Sequence, residues 1–383
     1  MVPLKILVSA GEASGDLYAA GLVERLRRRI PDAEFFGCAG HHMERAGVRP
    51  VVRADSLAVV GLLEVVAHIP RIYREFHRLI DAARREKPDL AILADSPDFH
   101  LRVAKRLKSL GIPVVYLVAP QVWAWRERRI SSIRRNIDRL LCIFPFEERY
   151  FQRHGVPAEY IGHPLSRIVK PNLTREAFFE RHHLNAEVPV VVLLPGSRQG
   201  EITRHLPRVL DAVNRIRSAR QVQFLLAVPP GLLKHSGRRW LDSLLGDAPV
   251  RIVEGETWDA IAHADVALAA SGTVTVEVAL LGTPMVTYYR VTALSWLLGK
   301  FLVDVPFYSM VNLVAGRAVV KELMQNEMRG DRLAAEVMQL LDDRTARQAM
   351  QSDLQSVAAL LSTGEDPLER AAATVQQLLD HGA

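Results

Sequence analysis

Asp95-Ser96-Pro97-Asp98-Phe99-His100 gathers three titratable side chains directly after an apolar run, Leu90–Ala94. A carboxylate at the end of such a run, its proton affinity tuned by burial and neighbours, can take a proton from an alcohol nucleophile. Either aspartate is equally suited to cap a helix starting near Pro97, and His100 to fill a satisfied structural position. Two later segments, Leu193-Leu194-Pro195-Gly196-Ser197-Arg198 and Ala270-Ser271-Gly272-Thr273, put small residues between a strand-like run and a helix. Backbone N–H groups can then face an anion, and Arg198 adds a guanidinium able to grip phosphate oxygens in pairs. Glu201 follows in the first segment, and Glu277, one turn beyond Thr273, could accept hydrogen bonds from a ribose diol. Together the two segments predict a nucleotide diphosphate site at Pro195, Gly196, Ser197, Arg198, Glu201, Ser271, Gly272, Thr273 and Glu277.

Three further segments qualify that picture. Gly11-Glu12-Ala13-Ser14-Gly15-Asp16 opens a helix after the first strand-like run, but its glycines are four apart. That is not the dinucleotide fingerprint, and its two acids would repel a pyrophosphate, so a hydroxyl-rich acceptor pocket fits better; a helix start capped by Ser14 or Asp16 is the plain alternative. Val122-Trp123-Ala124-Trp125-Arg126 follows a strand, and its tryptophans are as well explained by packing. Arg126, Arg128, Arg129, Arg134 and Arg135 could recognise a phosphate or nucleic acid, or simply form a solvated face. Between residues 57 and 87, Ile69, Ile72, Tyr73, Phe76, Leu79 and Ile80 recur at helical spacing among arginines, after an apolar stretch containing Leu63, Val65 and Val66. Such a helix can lie on anionic lipid or cover a core.

The elements that must position these residues follow from periodicity. Apolar runs at Ile6–Ala10, Leu90–Ala94 and Val114–Val118 precede helical stretches at Leu17–Arg29, Leu101–Leu110 and the arginine-rich 126–139 segment. A second series runs through Val190–Leu194, Gln223–Val228, Val250–Val253, Val266–Ala269 and Met285–Tyr288. Alternation of this kind predicts α/β architecture: two doubly wound, Rossmann-like domains of parallel strands facing each other across a cleft. Gly162-His163-Pro164-Leu165 and the polar stretch to Asn172 form the expected link, and residues 331–380 read as helices, the last packing back on the first domain. The expected domains are 1–165 with a C-terminal helix at about 350–383, and 166–349.

Composition narrows the classes. The chain has 383 residues, 49% of them apolar and 24% charged, with a formal charge of +6, which describes a folded protein rather than a disordered one. A mild basic excess favours anionic partners without choosing among them. Cys38 and Cys142 are too few to staple a chain of this length and fit reduced thiols. No metal-ligand spacing is present, no apolar run reaches 18 residues, and the N-terminal apolar run is too short for a signal peptide, so any membrane contact should be peripheral.

Seven segments occur in one order: Gly-Glu-Ala-Ser-Gly-Asp at 11–16, Asp-Ser-Pro-Asp-Phe at 95–99, Val-Trp-Ala-Trp-Arg at 122–126, Ile-Gly-His-Pro at 161–164, Leu-Leu-Pro-Gly-Ser-Arg at 193–198, Ala-Ser-Gly-Thr at 270–273 and Asn-Leu-Val-Ala-Gly-Arg at 312–317. Over nearly its full length the chain resembles the lipid-A-disaccharide synthases. The resemblance implies the two-domain GT-B glycosyltransferase fold and an inverting transfer from UDP-2,3-diacylglucosamine to 2,3-diacylglucosamine 1-phosphate, giving the β-1,6 disaccharide 1-phosphate and UDP. It implies Asp95 as catalytic base, Arg198 at the nucleotide diphosphate, and Asn312 and Glu277 on the nucleotide side. Gly11, Glu12, Ser14, Gly15, Asp16, Asp98, His100, Trp123 and Arg126 are expected on the acceptor side. Leu63, Val65, Val66, Ile69, Ile72, Tyr73 and Phe76 are expected on the membrane. The family usually has asparagine at His100 and often serine at Ala119 and Gln121, departures that touch acceptor contacts. No cofactor, metal or nucleic acid is required; an anionic membrane, on the cytoplasmic face of the inner membrane, is the expected partner surface, and a homodimer is compatible with the family. The nucleotide half alone also fits a UDP-sugar epimerase, a related UDP-GlcNAc transferase, or a non-catalytic UDP-binding membrane module.

Overall fold

The computed structural model describes residues 3–54, 62–234, 236–292 and 305–382. The chain divides into two units, residues 1–164 with 361–383, and residues 165–360. Each is a parallel sheet with crossover helices. In the first, β1 (Lys5–Ala10), β2 (Glu34–Ala39), β3 (Arg49–Arg53), β4 (Leu90–Ala94), β5 (Val114–Leu117), β6 (Arg139–Cys142) and β7 (Ala158–Tyr160) lie in the order β3-β2-β1-β4-β5-β6-β7. In the second, β8 (Val190–Leu194), β9 (Gln223–Val228), β10 (Val250–Glu254), β11 (Val266–Ala270), β12 (Met285–Tyr289) and β13 (Lys321–Met324) lie in the order β10-β9-β8-β11-β12-β13.

The central strands are continuous apolar runs because helices cover both faces: β4, β8 and β11 are buried along their whole length. That is why they were legible as strands. β2, β3, β6, β7 and β13 were not predicted: β3, β7 and β13 are short edge strands carrying charged residues, and β6 terminates the arginine-rich segment that reads as helix. Within 126–139 the chain forms a single tight turn at Glu127–Arg129 and a helix at Ile130–Asn136, after a separate short helix at Val122–Trp125.

In both units the strand order reverses between two neighbours, β1 with β4 and β8 with β11. Loops leaving adjacent strands in opposite directions open a crevice at the carboxyl edge, where ligands of doubly wound sheets bind. Register places Ala10 beside Ala94, so the loop starting at Gly11 lies next to Asp95. It also places Ala269 beside Leu194, so Pro195 and Ser271 leave the second sheet side by side.

The last helix, Pro367–Gly382, returns to the first unit and packs on the helix Ala13–Arg29. Arg28 and Arg29 meet Glu369 at 2.6 and 3.3 Å, and Arg370 meets Glu159 at 2.9 Å. The division between units falls at Leu361 rather than near 350. The helix Arg344–Leu361 stays with the second unit through the Arg317–Asp353 ion pair and Met350 against the Met285 N–H.

Candidate functional site

At the β1/β4 reversal, Asp95 and Ser96 both adopt left-handed backbone conformations, with φ of 55° and 39°. Two consecutive non-glycine residues there cost on the order of 1–3 kcal/mol each and persist only when their surroundings hold them. The holding groups are specific. The Asp95 carbonyl receives a hydrogen bond from the Tyr116 hydroxyl and one, at 2.9 Å, from Nδ1–H of His100. His100 is fully buried and its Nε2 meets the Ser9 hydroxyl at 2.8 Å. Burial lowers its pKa to about 4, so it is neutral, and the 4.0 Å approach of Nδ1 to the Asp95 carboxylate is not an ion pair.

The strained turn aims the Asp95 carboxylate at the start of the helix Ala13–Arg29, where it accepts hydrogen bonds from the Gly11 and Glu12 N–H groups at 3.0 and 3.1 Å. The space exists because of two glycines. A Cβ on Gly15 would stand 1.5 Å from Asp95 Oδ2, and one on Gly11 2.4 Å from the Ser96 hydroxyl. The four-residue spacing of Gly11 and Gly15 is therefore a seat for Asp95-Ser96. Burial pushes the Asp95 carboxyl up to about 7, against the lowering effect of hydrogen bonds from Ser96, Gly11 and Glu12. A carboxyl with that pKa is half ionised near neutrality and retains real basicity.

At the β8/β11 reversal, Pro195 is buried while Ser197 and Arg198 stand exposed at the start of the helix Gln199–Ala219. Gly196 has φ of 123°, and a Cβ there would stand 2.7 Å from Glu201 Oε2. Glu201 accepts the Ser197 N–H at 3.2 Å with one oxygen and the Tyr289 hydroxyl at 3.2 Å with the other, which pulls the loop over the helix end. His205 fixes it from below: Nδ1 meets the Pro195 carbonyl at 2.8 Å, and Nε2 meets the Arg290 N–H at 3.2 Å. Burial lowers the His205 pKa, and Nε2 also lies 3.1 Å from the Arg290 carbonyl. The guanidinium of Arg198 makes no hydrogen bond or ion pair among the described residues. Beside it, Ser271 donates to the Tyr308 carbonyl at 2.8 Å, and exposed Gly272 and Thr273 begin the helix Thr273–Leu281. Two helix N-termini with open amide groups thus leave one sheet edge together, an arrangement suited to a diphosphate.

A family model described as lipid-A-disaccharide synthetase matches residues 6–375. The lipid-A-disaccharide synthase of Solibacter usitatus is 59% identical over 376 residues, covering 98% of each chain. The chain belongs to the lipid-A-disaccharide synthase family. Among solved structures, it is similar to S. aureus MnaA with UDP, at a TM-score of 0.69 and 12% identity, with 98% of this chain and 97% of that one covered. It is also similar to the UDP-GlcNAc 2-epimerase of Neisseria meningitidis bound to UDP-GlcNAc, at a TM-score of 0.65 and 11% identity, covering 98% and 99%. The fold is the two-domain GT-B arrangement shared by glycosyltransferases and epimerases, and the sequence relationship makes this member a glycosyltransferase.

Within the synthase fold several expected contacts become supporting ones. His100 lies beneath Asp95 and, being fully buried, does not reach an acceptor. Asp16 is buried and neither it nor Ser14 caps its own helix; its carboxylate accepts the N–H groups of Gly40 and His42 at 2.8 and 2.9 Å, capping the helix His41–Arg45. Neither Asp95 nor Asp98 caps the helix Pro97–Ser109, whose first flanking residue is Ser96. Trp123 is half-buried, stands edge-on to Phe146 and donates to buried Glu147 at 3.2 Å, so packing explains it. Burial pushes the Glu147 carboxyl up to about 8. Asn312 is buried and has every hydrogen-bonding site filled. It donates to the Val320 carbonyl and Glu322, and accepts the Val319 and Val320 N–H groups, so it braces the loop behind Ser271 instead of meeting a ligand. Glu277 accepts the Trp258 indole N–H at 2.8 Å, with its pKa raised by burial.

The helix Leu62–Glu86 divides into two parts. Leu79 and Ile80 are core residues, and Phe76 packs against that core edge-on to Phe99, so Phe76 is withdrawn from any membrane role. Ile69 and Tyr73 are 53% and 63% exposed, Ile72 is half-buried, and Arg71, Arg74 and Arg78 are exposed beside them. The side chains of Leu63, Val65 and Val66, like that of Trp125, lie outside the described residues. Among the described residues no helix is long and apolar enough to cross a membrane. Sequence reading missed Tyr116, His205 and Glu322. Only His205 left a signal: it interrupts the apolar stripe of Ile202, Leu206 and Val209.

Proposed function

We propose that this synthase joins UDP-2,3-diacylglucosamine to 2,3-diacylglucosamine 1-phosphate, forming the β-1,6 disaccharide 1-phosphate and releasing UDP. Asp95 takes the proton from the acceptor 6-hydroxyl as that oxygen attacks the anomeric carbon of the donor. Arg198, with the amide groups at Ser271, Gly272 and Thr273, stabilises the charge that develops on the departing UDP; neither role requires a metal. The first unit thus serves the acceptor and the second the nucleotide. UDP in the first of the two similar structures and UDP-GlcNAc in the second support a uridine nucleotide in this fold. Ile69 and Tyr73, flanked by Arg71 and Arg74, serve as a peripheral contact with the anionic cytoplasmic leaflet where the acylated substrates reside.

The observation that carries this reading is the Asp95 carboxyl, seated over two glycines on a strained turn with its pKa near neutrality. Asp95→Asn is expected to retain UDP affinity and lose about 10²- to 10⁴-fold in turnover, measured as UDP release. Because the base acts ionised, kcat/KM of the wild type should rise with pH and level off above an apparent pKa of about 7. Turnover unchanged in Asp95→Asn would remove it as the base. For the surface contact, Ile69→Ser with Tyr73→Ser should reduce sedimentation with anionic vesicles while UDP binding holds, and undiminished sedimentation would end that assignment.

A further inference from the structure

Asp98 sits in the first turn of the helix Pro97–Ser109, three residues beyond Asp95, and holds two guanidinium groups on a single oxygen. Arg126 Nη1 approaches Oδ1 at 2.7 Å, and Arg129 donates to the same atom. Two cations thus share one carboxylate oxygen. Asp98 is well exposed while the arginines are more enclosed, at 66% against 35% and 26%, so the carboxylate holds the guanidiniums from the solvent side. Its pKa is lowered by the hydrogen bonds and charges of Arg129 and Arg126. The cluster is close to the turn that bears the base, since Arg129, Asp98 and Asp95 all act electrostatically on the same Tyr116 hydroxyl.

We propose that Arg126 and Arg129, braced by Asp98, bind the phosphate monoester on the anomeric oxygen of the acceptor sugar. In a hexose 1-phosphate the carbons that bear the phosphate and the 6-hydroxymethyl group flank the same ring oxygen, so base and anion site must be neighbours without touching. Asp95 and Asp98 lie on one loop and helix, and Asp98 holds beside them the guanidinium pair that comes from the segment after β5. Arg129 spends one nitrogen on the Asp98 oxygen and keeps further donors on its fork, and a phosphate takes several such donors in the plane of a guanidinium. Asp98 fixes the direction of both forks in the absence of acceptor, so less side-chain freedom is lost on binding. The assignment rests on the transferase reading and adds to it the group that selects the acceptor.

The test compares kcat/KM for the 1-phosphate acceptor with kcat/KM for the same diacylglucosamine lacking the phosphate. Arg129→Ala should lower that ratio about 10- to 100-fold, the loss of a charge-assisted hydrogen bond, with an unchanged thermal melting profile as the sign of a folded chain. Arg129→Lys, which keeps charge and volume but not the fork, should lower it less. A ratio equal to wild type in both variants, whatever their absolute rates, would overturn the proposal. That outcome is separable from failure of the transferase reading, which would show as no acceptor-dependent UDP release by the wild type from the acylated donor.

Discussion

The two strand-order reversals are built on one plan and finished in opposite ways. At β1/β4 the chemical group is withdrawn from water: Asp95 is set on two strained residues, tied through its carbonyl to Tyr116 and His100, and fitted against glycines. At β8/β11 the loop is braced from beneath by His205 and Glu201, while Ser197, Arg198, Gly272 and Thr273, the groups proposed to grip the diphosphate, remain in solvent. A carboxylate must be partly dehydrated to keep its proton affinity near neutrality, and dehydration demands rigid packing. Amide dipoles and a guanidinium bind an anion without a pKa shift, so they need orientation and access. Placement at a switch point follows from topology, and the degree of burial follows from the chemistry each site must perform.

That contrast predicts unequal tolerance. Gly15→Ala should be the most damaging: a methyl group 1.5 Å from Asp95 Oδ2 must displace the carboxylate or the helix, lowering turnover about 10³-fold, while UDP binding by titration holds. Wild-type turnover would show the seat to be unnecessary. Arg198→Ala, on the open side, should leave thermal stability unchanged and weaken the donor or its transition state about 10- to 100-fold in kcat/KM; unaltered kinetics would remove it from the diphosphate grip. Glu201→Gln should cost least, about 10-fold or under in KM for the donor, because an amide can still accept from only one of Ser197 and Tyr289. A larger effect than that of Arg198→Ala would show that bracing outweighs the cation in the second site.

Within the first unit, the residues most easily read were those whose neighbours in sequence are also their neighbours in space. β1 and β4 were apparent as uninterrupted apolar runs, and Asp95 was apparent because a carboxylate ended one of them. The same clarity misled at Asp16 and His100, which sit among chemically suggestive residues yet spend polar atoms on a backbone N–H 24 positions away and a hydroxyl 91 positions away. Asn312 is the same case in the second unit, its side chain consumed by the turn at Val319 and Val320. In the helix Leu62–Glu86 the spacing could not tell lipid from core, since both require one apolar stripe; only packing separated Phe76, Leu79 and Ile80 from Ile69 and Tyr73.

By itself the sequence determined the class of fold, the family and the types of chemistry: apolar runs alternating with helical stretches admit a doubly wound sheet, and glycine-hydroxyl turns with an arginine admit a bound diphosphate. Tertiary structure decided which of the polar residues are free to act. Strand order set Gly11 and Gly15 beside Asp95, burial brought the Asp95 carboxyl near neutrality, and internal hydrogen bonds turned His100, Asp16 and Asn312 into supports. Residue type and spacing are local and survive in one dimension. Desolvation and the satisfaction of hydrogen bonds depend on what the rest of the chain brings to the same point, so they exist only once it has folded.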